Sequence, residues 1–209
     1  MSLRWTILAP AYDRMSRNSE EAGLGDLRQG LLADAAGRVL EIGAGTGVNL
    51  PHYGEGIESL VLTDPERPML RRLQRAAHEH APDAQVLQAP AEDLPFEDDS
   101  FDAVVSTLVL CGVESQPRAL QEARRVLRPG GRLVFIEHVR ADDPGLARFQ
   151  DRINWLNRLL VGCECNRRTL SAIEAEGFEV SHVEKTTTPK APKFVRPLIV
   201  GSAVAGSPP

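Results

Sequence analysis

Short apolar runs alternate with amphipathic stretches from residue 38 to about residue 140. "RVLEI" (38–42), "SLVLTD" (59–64), "QVLQA" (85–89), "FDAVVST" (101–107) and "RLVFIEHV" (132–139) have the length and β-branched content of strands. The fourth run is nearly all apolar, which predicts burial on both faces. Two segments between them carry helical spacing. These are "RPMLRRLQRAAHEH" (67–80) and "QPRALQEARRVL" (116–127), the latter with Leu120, Ala123 and Leu127 on one side. "RPGG" (128–131) stops the second helix. Regular alternation of strand and helix predicts an α/β fold, a doubly wound and mostly parallel sheet with helices on both faces. Ligands of such sheets bind beyond the carboxyl ends of the strands.

The pattern changes after residue 140. "DPGLARFQDRINWLNRLL" (143–160) predicts a helix that Asp143 caps and Pro144 opens. Leu146, Phe149, Ile153, Leu156 and Leu160 line one face of it. Asn166 is placed to cap a short helix that Gly177 ends. "FEVSHVEKTTT" (178–188) and "FVRPLIVGSAV" (194–204) read as two late strands. The expected organisation is one domain over 1–204. It has an N-terminal helical cap (1–36), a ligand-binding core (37–140), and further helices with the last two strands (141–204); 205–209 form a loose tail.

Bulk properties narrow the class. A chain of 209 residues, 42% hydrophobic and 25% charged, is ordinary for a globular domain with a full core. A net charge of -5 argues against nucleic acid as the main partner. No apolar run is long enough to cross a bilayer, and "MSLRWTILAPAYDRMS" lacks the apolar core and cleavage site of a signal peptide. Three cysteines without an export signal (Cys111, Cys163 and Cys165) predict free thiols in a reducing cytoplasm. Cys163-x-Cys165 falls short of the roughly four ligands a structural zinc needs, so no metal is expected.

The chemistry is concentrated in "VLEIGAGTGVNL", Val39 to Leu50. Gly43, Gly45 and Gly47 give G-x-G-x-G. A dinucleotide fingerprint would put its third glycine at position 48, where Val48 stands. The Gly-Lys-Ser/Thr of a phosphate loop is absent. Asp64 ends the second strand 21 positions after Gly43 (64 − 43). A carboxylate there accepts both hydroxyls of an unphosphorylated ribose and repels a 2′-phosphate. The ligand expected is therefore a nucleoside with a free ribose, packed against bare backbone.

"VLEIGAGTG", "LTDPE", "APAEDLPFEDDSFDAVVS" and "EARRVLRPGGRLVFIEH", in this order over residues 38–139, resemble the class I methyltransferases that use S-adenosylmethionine. Within that class the chain looks like the ubiquinone/menaquinone-biosynthesis type. "VVSTLVLCGVESQ", "FIEHV", "GCECNRRT" and "FVRPLIVGSAV" are similar to the small methyltransferase-like group whose animal members include membrane-associated thiol S-methyltransferases. Bacterial proteins of similar appearance include phospholipid N-methyltransferases. The group's hydrophobic N-terminal anchor is missing here, which implies a soluble, cytoplasmic enzyme. The resemblance implies a Rossmann-like seven-stranded sheet whose last strand is antiparallel, and S-adenosylmethionine as cofactor.

It also implies roles for residues. Gly43, Ala44, Gly45, Thr46 and Gly47 pass beside the methionine part. Glu41 faces the ammonium, and Asp64 with Pro65 takes the ribose. Ala91 offers its N–H to the adenine. The usual acid before it is replaced by Pro90, which leaves Glu92 or Asp93 to supply a carboxylate. Thr107 and Leu108 follow the fourth strand, where methyl and acceptor meet. Tyr12 resembles a tyrosine that covers the cofactor from an N-terminal helix; an amphipathic tyrosine packed under the sheet is the other reading. His138 ends the fifth strand as either a general base or a hydrogen-bonded strand-end histidine, since imidazole exchanges protons near neutral pH.

The function expected is methyl transfer to a small, rather apolar acceptor, with a thiol favoured. An O- or N-methyltransferase of a quinol, phenol or phospholipid headgroup is the alternative. A nicotinamide oxidoreductase and a non-catalytic cofactor-binding protein are alternatives of other classes. Leu146, Phe149, Trp155 and Leu156 provide either an apolar wall for the site or ordinary core. Lys185, Lys190, Lys193 and Arg196 form a solvated rim or a weak contact with a membrane surface.

Overall fold

A computed structural model describes residues 17–206 of the chain. Tyr12 lies outside the described residues. Seven strands form one sheet: β1 (Gly37–Ile42), β2 (Ile57–Thr63), β3 (Gln85–Leu87), β4 (Phe101–Thr107), β5 (Leu127–His138), β6 (Phe178–Thr187) and β7 (Pro197–Ala205). Their order is β3-β2-β1-β4-β5-β7-β6. β7 runs antiparallel to both of its neighbours, and the other pairings are parallel. Among the described residues the α-helical elements are α1 (Gly25–Leu32), α2 (Arg67–His80), α3 (Gln116–Val126), α4 (Pro144–Val161) and α5 (Thr169–Ala175). A π-helical turn, Glu20–Leu24, leads into α1.

Alternation along the strands builds a core on each face of the sheet. Val39, Leu60, Leu62, Ala103, Val105 and Val134 pack with Leu32 of α1 and Leu70 and Leu73 of α2. Their neighbours Leu40, Val61, Val104, Leu133 and Phe135 pack with Leu120 and Ala123 of α3 and Ile173 of α5. Both faces of β4 are thus buried, as its composition requires. Each large aliphatic or aromatic side chain so removed from water contributes about 1.5–3 kcal/mol. β1 lies between β2 and β4, where the winding reverses; in sheets of this kind the ligand crevice lies at that reversal, above the carboxyl ends of the strands.

Three expectations about element ends are corrected. β5 begins at Leu127, opposite Phe101; the chain then loops out through residues 128–131 and rejoins the ladder with Arg132 opposite Ala103. The last strand starts at Pro197, because Lys193–Val195 form a 3-10 turn. Asn166 does not cap α5: its amide donates to Asp151 (2.9 Å), and Arg168 occupies the cap position. Asp143 does cap α4, accepting from the N–H of Leu146 at 2.7 Å.

The largest correction concerns the packed face of α4. Ala147, Gln150 and Asn157 are its buried residues. Phe149, Trp155, Leu156, Leu159 and Leu160 are exposed, Trp155 to 67%. Gln150 explains the rotation of the helix: its amide donates to the carbonyls of Val139, Cys165 and Phe194 and accepts from the N–H of Ala141. One buried amide thus ties three separate loops, and turning it outward would leave those carbonyls and the Ala141 N–H without their partner.

Candidate active site

All three loop glycines adopt positive φ: 57° at Gly43, 60° at Gly45 and 88° at Gly47. A Cβ on Gly43 would lie 2.7 Å from the methyl groups of Val109. A Cβ on Gly45 would meet nothing nearer than the Gly43 carbonyl oxygen at 3.9 Å, so this glycine is required by its φ and leaves bare backbone at the loop surface. Ala44 and Thr46 are buried behind the loop. The chain then makes one 3-10 turn, Leu50–His52, in place of an α-helix. The loop therefore does not lead directly into a helix N-terminus, as the usual phosphate-binding loop does.

The Asp64 carboxylate is tied to this loop. It accepts from the N–H of Gly45 at 3.0 Å and from the N–H of Glu66 at 2.8 Å. Burial raises its pKa to about 6, although these two N–H bonds pull the other way. The Glu41 carboxylate points inward, accepting from Asn49 at 2.8 Å and from the Tyr53 hydroxyl at 2.8 Å. Burial raises it to about 7 against those two bonds.

Arg28 was not legible in the sequence as a site residue. It is 2% exposed, pairs with Glu20, and donates to Asn49 Oδ1 (2.7 Å) and Thr107 Oγ1 (2.9 Å). Asn49 donates to the same Thr107 oxygen at 2.9 Å. One polar network therefore runs from the N-terminal helices through Arg28, Asn49 and Thr107 to Glu41. Only Glu41 and Thr107 carried a motif. Asn49 sits two residues past the last glycine, and nothing in the spacing of "GDLRQGLL" distinguishes Arg28.

On the far side, Ala91 is buried and Pro65 is exposed beside Asp64. One oxygen of Glu92 accepts from the N–H groups of Glu114 (2.8 Å) and Ser115 (3.3 Å), so it is held at the start of α3. Asp93 is exposed.

The turn after β4 is built around a second missed residue, Glu137. This fully buried carboxylate accepts from Ser106 Oγ (2.7 Å) and from the N–H groups of Val109 (3.0 Å), Leu110 (3.0 Å) and Cys111 (3.2 Å). Leu108 enters the turn with φ 60°, a left-handed conformation that costs roughly 1–2 kcal/mol for a residue with a Cβ. The bonds to Glu137 offset it. A signal existed, since Glu137 interrupts a strand apolar enough to be buried on both faces. His138, the next residue, directs Nε2 to Thr188 Oγ1 (3.1 Å) and Nδ1 toward the sulfurs of Cys163 (3.6 Å) and Cys111 (3.9 Å).

Residues 40–135 match the methyltransferase domain family. Human thiol S-methyltransferase TMT1B is 34% identical over 206 residues, covering 95% of this chain and 83% of that protein. A phosphatidylethanolamine N-methyltransferase of Cereibacter sphaeroides is 29% identical over 161 residues, covering 73% of this chain and 76% of its own. Among solved structures, a methyltransferase from Thermotoga maritima, described as a possible histamine N-methyltransferase, superposes with TM-score 0.71 at 23% identity, covering 97% and 99% of the two chains. The chain belongs to the class I S-adenosylmethionine-dependent methyltransferases. It is an enzyme of that class and its cofactor is S-adenosylmethionine. No helix among the described residues is long and apolar enough to cross a membrane.

Proposed function

We propose that this enzyme methylates a small, rather apolar thiol in the cytoplasm. The observation that carries this reading is the crevice above β1, β2 and β4, with its bare glycine backbone and two inward carboxylates, in a chain similar over 95% of its length to a thiol S-methyltransferase. S-Adenosylmethionine supplies a methyl group already activated on a sulfonium. The open backbone at Gly43, Gly45 and Gly47, with Ala44 and Thr46 behind it, fits the methionine part. Glu41 is assigned to the ammonium; Asn49 and Tyr53 fix its carboxylate and leave lone pairs over. Asp64, beside Pro65, is assigned to the ribose hydroxyls, and Ala91 with Glu92 to the adenine side. Thr107 and Leu108 border the point of transfer, with Tyr12 assigned to the cover. Holding nucleophile and donor in line supplies much of the rate, up to about 7–11 kcal/mol in favourable model reactions. His138 is placed on the acceptor side. Its Nδ1 faces two thiols, so any proton it handles passes by way of them.

The test is an acceptor panel of alkyl thiols, phenols, amines and phosphatidylethanolamine vesicles, read by release of S-adenosylhomocysteine. Turnover of thiols above all others is expected; turnover confined to phenols or amines sinks the thiol assignment. Calorimetric titration with NAD is expected to give no heat of binding, in contrast to S-adenosylmethionine. A second reading, methylation of a phospholipid amine, is favoured by the exposed apolar residues of α4, and the vesicle arm decides it.

The two raised carboxylates fix a pH dependence. Their folded pKa values, about 7 for Glu41 and about 6 for Asp64, lie above their ordinary values of 4.5 and 3.8. Between the ordinary and folded values the folded protein holds protons that the unfolded chain has lost. Their contribution to stability is therefore full below the ordinary values and is lost as pH rises through about 6 to 7. Cofactor binding needs the ionised forms. Affinity for S-adenosylmethionine is thus expected to climb across this window and level off above it, while the ligand-free melting temperature falls. Calorimetry and thermal melts at about pH 5.5 and about pH 8 check both signs.

A further inference from the structure

Three elements far apart in sequence converge beside the turn after β4. Cys111 comes from that turn, His138 from the end of β5, and Cys163 from the loop that follows α4. Their Sγ, Nδ1 and Sγ atoms all lie within 4.8 Å of one another. We infer that Cys111, His138 and Cys163 form a three-ligand site for a thiophilic divalent ion of the zinc class.

The distances fit the ion. Zinc–sulfur and zinc–nitrogen bonds of about 2.3 and 2.05 Å at a tetrahedral angle hold the two atoms roughly 3.6 Å apart. The Cys163–His138 separation is 3.6 Å and the Cys111–His138 separation is 3.9 Å. The imidazole is prepared in the same sense. Nε2 lies 3.1 Å from the hydroxyl of buried Thr188; with Nε2–H donating to that hydroxyl, the Nδ1 lone pair faces both sulfurs. A metal-bound histidine has this second partner almost always.

The ligand-bearing backbone is also fixed. The N–H of Glu164 donates to the Cys111 carbonyl (2.7 Å), Asn157 donates to the Cys163 carbonyl (2.7 Å), and Glu137 accepts from the Cys111 N–H. On metal binding each thiol gives its proton to water and its sulfur lone pair to the ion. Cys165 stays outside the set, its sulfur turned to Asn154 (3.8 Å).

Three protein ligands leave one tetrahedral position, the pattern of an ion that takes a substrate atom. Cys163 and His138 are only partly buried, which gives a small molecule access. A sulfur ligand is deprotonated outright on such an ion. The open position therefore suits an acceptor thiol, held as thiolate, and this last step rests on the proposed thiol methylation.

The test uses the whole protein, reduced and stripped with a chelator, then titrated with Co2+. Uptake of one equivalent with a thiolate-to-cobalt charge-transfer band and tetrahedral visible bands is expected, and Zn2+ should displace the Co2+. Cys111→Ser and Cys163→Ser should each weaken binding on the order of 100-fold. Thr188→Val, acting through His138, should weaken it by about 10–100-fold, and Cys165→Ser should leave the band unchanged. Thermal melts of each variant confirm that it is folded. A fully reduced protein that gives no charge-transfer band, or a band untouched by both serine variants, overturns the site. A small alkyl thiol added to the Co2+ form should shift the band; an unchanged spectrum overturns the open position. The cobalt titration stands apart from the acceptor panel, so failure of thiol methylation and failure of the metal site are read separately.

Discussion

Asp64→Ala lowers the affinity for S-adenosylmethionine on the order of 100-fold, measured by calorimetry at about pH 8, where the wild-type carboxylate is ionised. Hydrogen bonds to a charged acceptor are worth about 1.5–3 kcal/mol each, and two ribose hydroxyls are at stake. The loss of two such bonds is reduced by the desolvation that the buried carboxylate already pays, as its raised pKa records. The substitution also strips the N–H groups of Gly45 and Glu66 of their acceptor, so the glycine loop loosens together with the ribose contact. Thermal melts establish that the variant is folded. Wild-type affinity in a folded variant would refute the ribose assignment.

The second large effect is on stability. Glu137→Leu should cost about 4–5 kcal/mol in urea denaturation. One hydroxyl and three backbone N–H groups lose their acceptor inside the protein, and each orphaned donor costs about 1–3 kcal/mol. Set against a typical total of about 5–15 kcal/mol, that loss leaves the variant marginal at best. Glu137→Gln keeps one acceptor oxygen but turns an NH2 group toward N–H donors, so an intermediate loss is expected. A leucine variant within about 1 kcal/mol of the parent would show that the turn finds other acceptors.

The alternating strands and helices, the doubly wound class and the glycine loop were legible because they rest on local pattern. Strand periodicity, three glycines with positive φ, and an acid at the end of β2 are all written in neighbouring residues. Arg28, Asn49 and Tyr53 were not legible. Their importance comes from meeting Glu41 and Thr107 in space, and no short-range rule reports a meeting across 79 residues. The α4 face misled for the opposite reason. Its apolar spacing is clear, yet Gln150, a polar residue in the middle of the helix, decides which side faces inward. Glu137 lay between these cases: a carboxylate inside an apolar strand marked something unusual without saying what it would hold. The cysteines were read by their spacing as Cys163-x-Cys165, whereas the fold pairs Cys163 with Cys111 and leaves Cys165 aside.

Val109 occupies the space a side chain at Gly43 would need, and two residues further along the same turn Cys111 faces His138. On the proposed assignments, the donor and acceptor sides of the enzyme share a single mechanical part. Bulk gained or lost at position 109 is transmitted in both directions, to the glycine loop and to the thiol cluster. Shifts toward new acceptors that enter through this turn carry an unavoidable retuning of cofactor grip.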